Sequence, residues 1–154
     1  MGLGAFPASD NLFLGMLGMH GTYEANMAMH DCDLMINIGA RFDDRITGRL
    51  DKFSPKSKKI HIDIDPSSIN KNVAVDIGLV GDAAKILRDI NKELKSINFT
   101  PLNPFKSNWW KSIKKWKKKD CLNFTNSNNV IKPQYALKVL NEKIKNKNFY
   151  ITTE

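Results

Sequence analysis

Acidic residues are scarce in only one part of this 154-residue chain. Residues 1–97 hold 12 Lys and Arg against 13 Asp and Glu, whereas residues 98–154 hold 12 against 3. The formal charge of +8 therefore belongs to the C-terminal third, and the difference predicts two structural units, not one basic protein. Cysteine is scarce as well. Cys32 and Cys121 lie far apart and form no C-x-x-C pair, which argues against zinc or a redox dithiol and favours a reducing compartment. No apolar run approaches the roughly eighteen residues of a membrane span. Met1 to Pro7 shows neither the basic nor the apolar region of a secretory leader, so none is expected. The G-x-G-x-x-G nucleotide fingerprint is missing too.

What is present alternates between β and α. Leu34-Met35-Ile36-Asn37-Ile38 is a short apolar run ending at Gly39, as expected of a strand buried on both faces of a parallel sheet. Ile60-His61-Ile62-Asp63-Ile64 places three isoleucines on one face and stops at Asp65-Pro66. Val73 to Val80 is a third β-rich run, closed by Gly81-Asp82. Asp82 suits an N-cap, and Ala83, Ile86, Leu87, Ile90, Leu94 and Ile97 then form one apolar helical stripe. Thr22 to His30 reads as a further helix. The alternation predicts a Rossmann-like α/β fold with a parallel sheet and crossover helices.

The remainder is less regular. Asn98 to Phe105 reads as a linker, and Ser107 as the cap of a helix with Trp109, Ile113 and Trp116 as its packing stripe. The seven lysines between Lys106 and Lys119 admit a nucleic-acid-binding reading, since lysines track phosphates and tryptophans stack on bases. The helical spacing of the tryptophans favours packing, with lysine stems over apolar surface. Pro133 opens another helix, whose core face would be Leu137, Leu140 and Ile144, and Phe149-Tyr150-Ile151 begins a strand. The expected domains are 1–97, a basic helical linker over 98–131, and the opening of a second α/β domain over 132–154. An ending one strand into a domain reads as a truncation.

Three stretches carry candidate chemistry. Leu14 to Gly21 spaces three glycines by three before a helix, which is either a structural turn or a loop approaching a phosphate. Gly39-Ala40-Arg41-Phe42-Asp43-Asp44-Arg45 follows a strand, where open α/β sheets bind ligands, and its arginines can grip phosphate or carboxylate. The bland reading is a solvated loop with local ion pairs. Asp63-Ile64-Asp65-Pro66 could offer a carboxylate to ribose or ribityl hydroxyls, or could form a turn and a cap. Gly81-Asp82 repeats the strand-end arrangement and could equally be a helix cap.

Taken in order, several segments resemble one family. They are Gly2-Leu3-Gly4-Ala5-Phe6-Pro7, Leu17-Gly18-Met19-His20-Gly21, Gly39 to Gly48, His61-Ile62-Asp63-Ile64-Asp65-Pro66 and Val80-Gly81-Asp82. With this spacing they are similar to the central domain of acetolactate (acetohydroxyacid) synthase catalytic subunits, from Gly2 to about Ile97. The likeness loosens from Asn98 to Val130 and tightens again at Lys132-Pro133-Gln134 and Ile151-Thr152-Thr153-Glu154. The resemblance implies a large enzyme of three α/β domains that uses thiamine diphosphate, Mg²⁺ and FAD. It condenses two 2-keto acids with loss of CO2 in branched-chain amino-acid synthesis. It also implies a cytoplasmic or plastid setting and a homodimer or higher oligomer with a regulatory subunit; neither nucleic acid nor membrane is expected as a partner.

Carried onto matching positions, Leu17, Gly18, Met19, His20, Gly39, Ala40, Arg41 and Asp43 would line the flavin dinucleotide. Asp63, Ile64 and Ser68 would meet its ribityl–adenosine part, and Gly81 and Asp82 its far end. Arg45 would hold a substrate carboxylate with Met19 beside it. A fixed planar cation is needed there, which makes Lys a poor replacement. No Gly-Asp-Gly metal motif followed by asparagine occurs, and the family's thiamine-activating glutamate has no counterpart. The chain is therefore expected to be a fragment with no catalytic or metal-ligating residue, inactive alone and weak or silent toward FAD. Related thiamine-diphosphate enzymes, such as glyoxylate carboligase and 2-keto acid decarboxylases or oxidases, share the domain and form the nearest alternative.

Overall fold

The computed structural model describes residue 2 and residues 4–152. The family-like positions Leu3, Thr153 and Glu154 lie outside them. Two compact units are present, Met1–Cys121 and Leu122–Glu154.

The first unit is built on three parallel strands in the order β1 (Leu34–Ile38), β2 (Lys58–Asp63) and β3 (Ile77–Val80). Ile36 pairs with Ile60, and Ile60 with Ile77, so the strands run in step toward one end. Helix α1 (Tyr23–Asp31) precedes β1, with the Thr22 hydroxyl accepting from the Ala25 N–H as its cap. The short α2 (Asp44–Thr47) lies between β1 and β2, and α3 (Ala83–Ser96) follows β3. Asp82 caps α3 through the Lys85 N–H at 2.8 Å, as the sequence predicts.

Burial differs from the expectation in instructive ways. The central strand is buried on both faces, with His61 and Ile62 fully inaccessible. β1 is not. Leu34, Ile36 and Ile38, which share one face, remain 50%, 52% and 45% exposed, because β1 packs appreciably only against β2 among the described residues. Ile64 continues the alternation but lies past the last paired residue of β2 and is 73% exposed. β3 begins at Ile77, not Val73. The Asn70 side chain accepts the Val75 N–H and the Asp76 carboxylate accepts the Lys59 N–H, and residues 73–76 are irregular, not strand.

Helix α4 (Asn108–Lys117) carries the tryptophans and packs against α1. Ser107 caps it, accepting from the Trp110 N–H at 3.1 Å. Its buried face is Trp110 and Ile113, not the Trp109–Trp116 stripe; those two rings stack edge-on against each other nearer the surface. The Lys117 ammonium lies 5.7 Å from the Trp110 ring centroid, and that of Lys119 lies 4.2 Å from the Tyr23 centroid. These lysine stems cover aromatic surface while their charges reach water.

In the second unit, Pro133 opens α5 (Pro133–Ile144). The helix forms where predicted, but it buries no residue, and Leu137 stays 65% exposed. Residues 149–151 pair with no strand among the described residues and are irregular, so the predicted strand is absent. None of these helices is long and apolar enough to cross a membrane.

Candidate functional site

The carboxyl ends of the three strands form one crest. The Gly39 N–H donates to the Ile62 carbonyl at 2.8 Å, and the Gly81 N–H to the Asp63 carbonyl at 2.9 Å. Gly39, Asp63 and Gly81 thus stand side by side where the chain leaves the sheet. Gly39 has φ +65°, a left-handed conformation that favours glycine, and no atom lies within 4 Å of where a Cβ would sit. The ground beside it is open.

The Gly39 loop then turns sharply. Phe42 has φ +53°, which is rare for a bulky residue, and it is buried against Phe53 and His61 at centroid distances of 5.7 and 5.1 Å. The Asn72 side chain donates to the Arg41 and Phe42 carbonyls at 3.2 and 3.1 Å, and the Asn37 amide donates to the Ala40 carbonyl at 2.6 Å. These bonds and the aromatic packing over-determine the strained turn, holding Arg41 and Asp43 outward on either side of a buried ring. Arg41 pairs with Asp43 at 3.4 Å, both largely in water. Such a pair contributes at most about 1 kcal/mol, so either group can exchange its partner for a ligand. Asp43 stands at the N-cap position of α2 without capping it, which leaves its carboxylate free for such an exchange.

The glycine loop serves packing. A Cβ on Gly15 would sit 2.6 Å from the Thr22 methyl, one on Gly18 2.5 Å from the Arg45 carbonyl oxygen, and one on Gly21 2.5 Å from the Met16 carbonyl oxygen. Two of the first three N–H groups of α1 have partners: the Tyr23 N–H donates to Cys121 Sγ and the Ala25 N–H to the Thr22 hydroxyl. These close contacts are those of a tight turn. The turn has a positional consequence, however. The Met19 N–H donates to the Arg45 carbonyl at 2.9 Å, which joins these two residues by their backbones. Asn26 fixes the turn further, accepting the Gly18 N–H and donating to the Gly18 carbonyl. Arg45 itself is exposed and makes no ion pair among the described residues.

At the third stretch the two carboxylates divide their work. Asp65 accepts from the Ser67 N–H and hydroxyl at 2.9 and 2.8 Å, which hold its carboxyl below the ordinary value of 3.8. It is a turn cap. Asp63 is buried, accepts only the Asp65 N–H through Oδ1, and has Oδ2 3.7 Å from His61 Nε2. Ser68 is buried in the turn that Asp65 caps, and Ile64 projects into water. Asp82 is committed to capping α3.

The predicted residues therefore fall into groups. Gly39, Asp63 and Gly81 share the crest; Arg41 and Asp43 flank it; Met19 and Arg45 are joined by their backbones. Leu17 and Ala40 line one apolar cavity of about 600 Å³ between the 12–17 loop, α1 and β1. His20 is exposed and is linked to none of the others by a hydrogen bond among the described residues. Sequence reasoning missed Asn26, Asn37 and Asn72. Each grips peptide groups of a loop, Asn37 three residues away, Asn26 eight and Asn72 about thirty, and no residue pattern marks these grips. No group of three His, Cys, Asp or Glu among the described residues could hold a metal ion.

Comparison with known proteins adds the following. The family described as thiamine pyrophosphate enzyme, central domain, matches residues 1–90. The acetolactate synthase large subunit of Haemophilus influenzae is 51% identical over 140 residues, covering 91% of this chain and 24% of that protein. The acetolactate synthase large subunit of Buchnera aphidicola from Acyrthosiphon pisum is 46% identical over 154 residues, covering 100% and 26%. Acetolactate synthase 1, chloroplastic, of Nicotiana tabacum is 43% identical over 153 residues, covering 99% and 23%. The chain spans about a quarter of the length of these curated relatives.

Proposed function

The chain belongs to the thiamine pyrophosphate enzymes through their central domain, and we propose that it serves as the flavin-holding segment of an acetolactate synthase large subunit. Such an enzyme condenses pyruvate with a second 2-keto acid, releasing CO2. The observation that carries the reading is the crest. Gly39, bonded to Ile62, and Gly81, bonded to Asp63, bring three strand ends together at the carboxyl edge of the sheet, where α/β sheets receive nucleotides.

The residues on that crest suit FAD by their chemistry. The exposed Arg41 guanidinium is only weakly engaged by Asp43 and can turn to a diphosphate. Asp63 offers a carboxylate to the hydroxyls of a ribose or ribityl chain. Leu17, Ala40 and Ile64 offer apolar surface to rings. FAD in this setting supplies a bound scaffold, since condensation of two keto acids is not a net redox step. Arg45 holds the carboxylate of the second keto acid, with Met19 at its side. Thiamine chemistry is assigned to other parts of a longer subunit, and the chain alone is expected to form no acetolactate. Within the thiamine-diphosphate enzymes, the names of the relatives favour acetolactate synthase over a decarboxylase or carboligase.

The test is a graft. These residues replace the matching stretch of the Buchnera large subunit, to which they align over the whole chain. The grafted subunit is expected to keep bound flavin and to form acetolactate from pyruvate. Arg45→Lys in it should raise the KM for the keto acid about tenfold or more while flavin stays bound, the loss expected when one charged, bidentate contact is removed. A graft that folds but carries no flavin, or is indifferent to Arg45→Lys, overturns the assignment.

A further inference from the structure

His61 is unexplained by the fold. It sits at the centre of β2, fully buried, and neither ring nitrogen has a hydrogen-bond partner among the described residues. Packing alone does not account for it. Its ring lies edge-on to Phe42 at 5.1 Å, a contact that a phenylalanine would make as well. A buried imidazole with an unsatisfied donor costs folding free energy that a phenyl ring does not.

Its surroundings point in one direction. Across the strands stand Asn37 and Gly78. The Asn37 Nδ2 group donates to the Ala40 carbonyl, and Gly78 has no side chain. A carboxylate stands two residues along the same face of β2: Asp63 Oδ2 lies 3.7 Å from His61 Nε2. That separation is just beyond a hydrogen bond, and a small shift of the carboxylate closes it. Only Oδ1 of Asp63 is anchored, by the Asp65 N–H.

We propose that His61 is a positioning residue: its buried Nε2–H holds the Asp63 carboxylate in the orientation that presents it to the hydroxyls of the bound nucleotide. This rests on the flavin reading above. The imidazole touches no ligand; it acts through Asp63 by fixing which lone pairs face the crest, as partners behind a metal or substrate ligand do. The requirement also explains a histidine where the fold itself wants an apolar residue.

Two measurements test it. In the grafted large subunit, FAD affinity is read from flavin fluorescence on reconstitution of the stripped protein. His61→Phe, which keeps the aromatic packing and removes the donor, should weaken FAD roughly tenfold, the worth of one hydrogen bond to a charged group. It should leave the melting temperature unchanged or raised, whereas a purely structural histidine would show the reverse. His61→Gln, which keeps a donor, should recover most of the affinity. In the 154-residue chain, ¹⁵N imidazole shifts should report His61 as the Nε2–H tautomer, and Asp63→Asn should move that signal. The imidazole shift needs no variant at position 61, so it decides the coupling even if His61→Phe fails to fold. Unweakened FAD binding by His61→Phe, or an imidazole indifferent to Asp63→Asn, overturns the positioning role. A graft that never holds FAD while the imidazole still responds to Asp63 overturns the flavin reading and leaves the coupling standing.

Discussion

The two compact units share an α-helical vocabulary and differ in what they bury. In Met1–Cys121, α3 lies against β2, and α4 packs on α1 through Trp110 and Ile113. In Leu122–Glu154, α5 has equally clear apolar spacing, yet it buries none of its residues. Spacing decides that a segment is helical, because side chains three and four apart share a face. It does not decide whether that face meets anything. Burial requires a second element: α4 finds one in α1, whereas α3, beside β2, and α5 bury none of their residues.

Core substitutions should separate the units most sharply. Trp110→Ala removes a buried indole and is expected to destabilise the first unit by about 3–5 kcal/mol. Denaturant unfolding followed by the fluorescence of Trp109 and Trp116 reads this directly, since all three tryptophans lie in that unit. Ile62→Ala, at a side chain with no exposed surface, should cost about 2–4 kcal/mol. Gly18→Ala forces a Cβ to within 2.5 Å of the Arg45 carbonyl oxygen at a φ of +95°. A loss of roughly 1–3 kcal/mol is expected, with altered exchange of the Met19 amide.

Smaller effects test the edges of the contrast. Asp76 accepts the Lys59 N–H and pairs with the Lys58 ammonium, which hold its carboxyl below 3.8. A carboxylate whose folded pKa is depressed stabilises above its unfolded pKa, and that contribution fades as the pH falls through the folded value. Asp76→Asn should therefore lower stability slightly near neutrality and flatten the acid limb below about pH 4. A steeper acid limb in the variant would contradict this. The smallest change is expected at α5. Leu137→Ser should move stability by no more than about 0.5 kcal/mol, because its side chain already lies in water. A large loss there would show that the second unit hides a core.

Much of this was legible in the residues. The run 34–38 is a strand, and Thr22, Asp82 and Ser107 cap helices, because each signal is local: a short apolar run, or an oxygen placed three residues before an amide. The buried side of α4 was not legible. Trp109, Trp110 and Trp116 allow two stripes, and the choice depends on which face meets α1. The start of β3 was obscured because Val73 and Val75 have strand-like side chains, while the Asn70 and Asp76 side chains take the Val75 and Lys59 amides in place of strand pairing. At the candidate site, the strand-end loops could be read from sequence. The asparagines that brace them could not, since Asn72 acts on a loop thirty residues away.

The central claim is that adjacent strand ends jointly cradle one dinucleotide, and amide hydrogen exchange in the grafted subunit with and without FAD tests it most directly. The expected result is slowed exchange on binding at residues 39–45, 63–68 and 81–82 together, with no change at β1 residues 34–36. Protection confined to a single loop, or appearing first on the far ends of the strands, would contradict it.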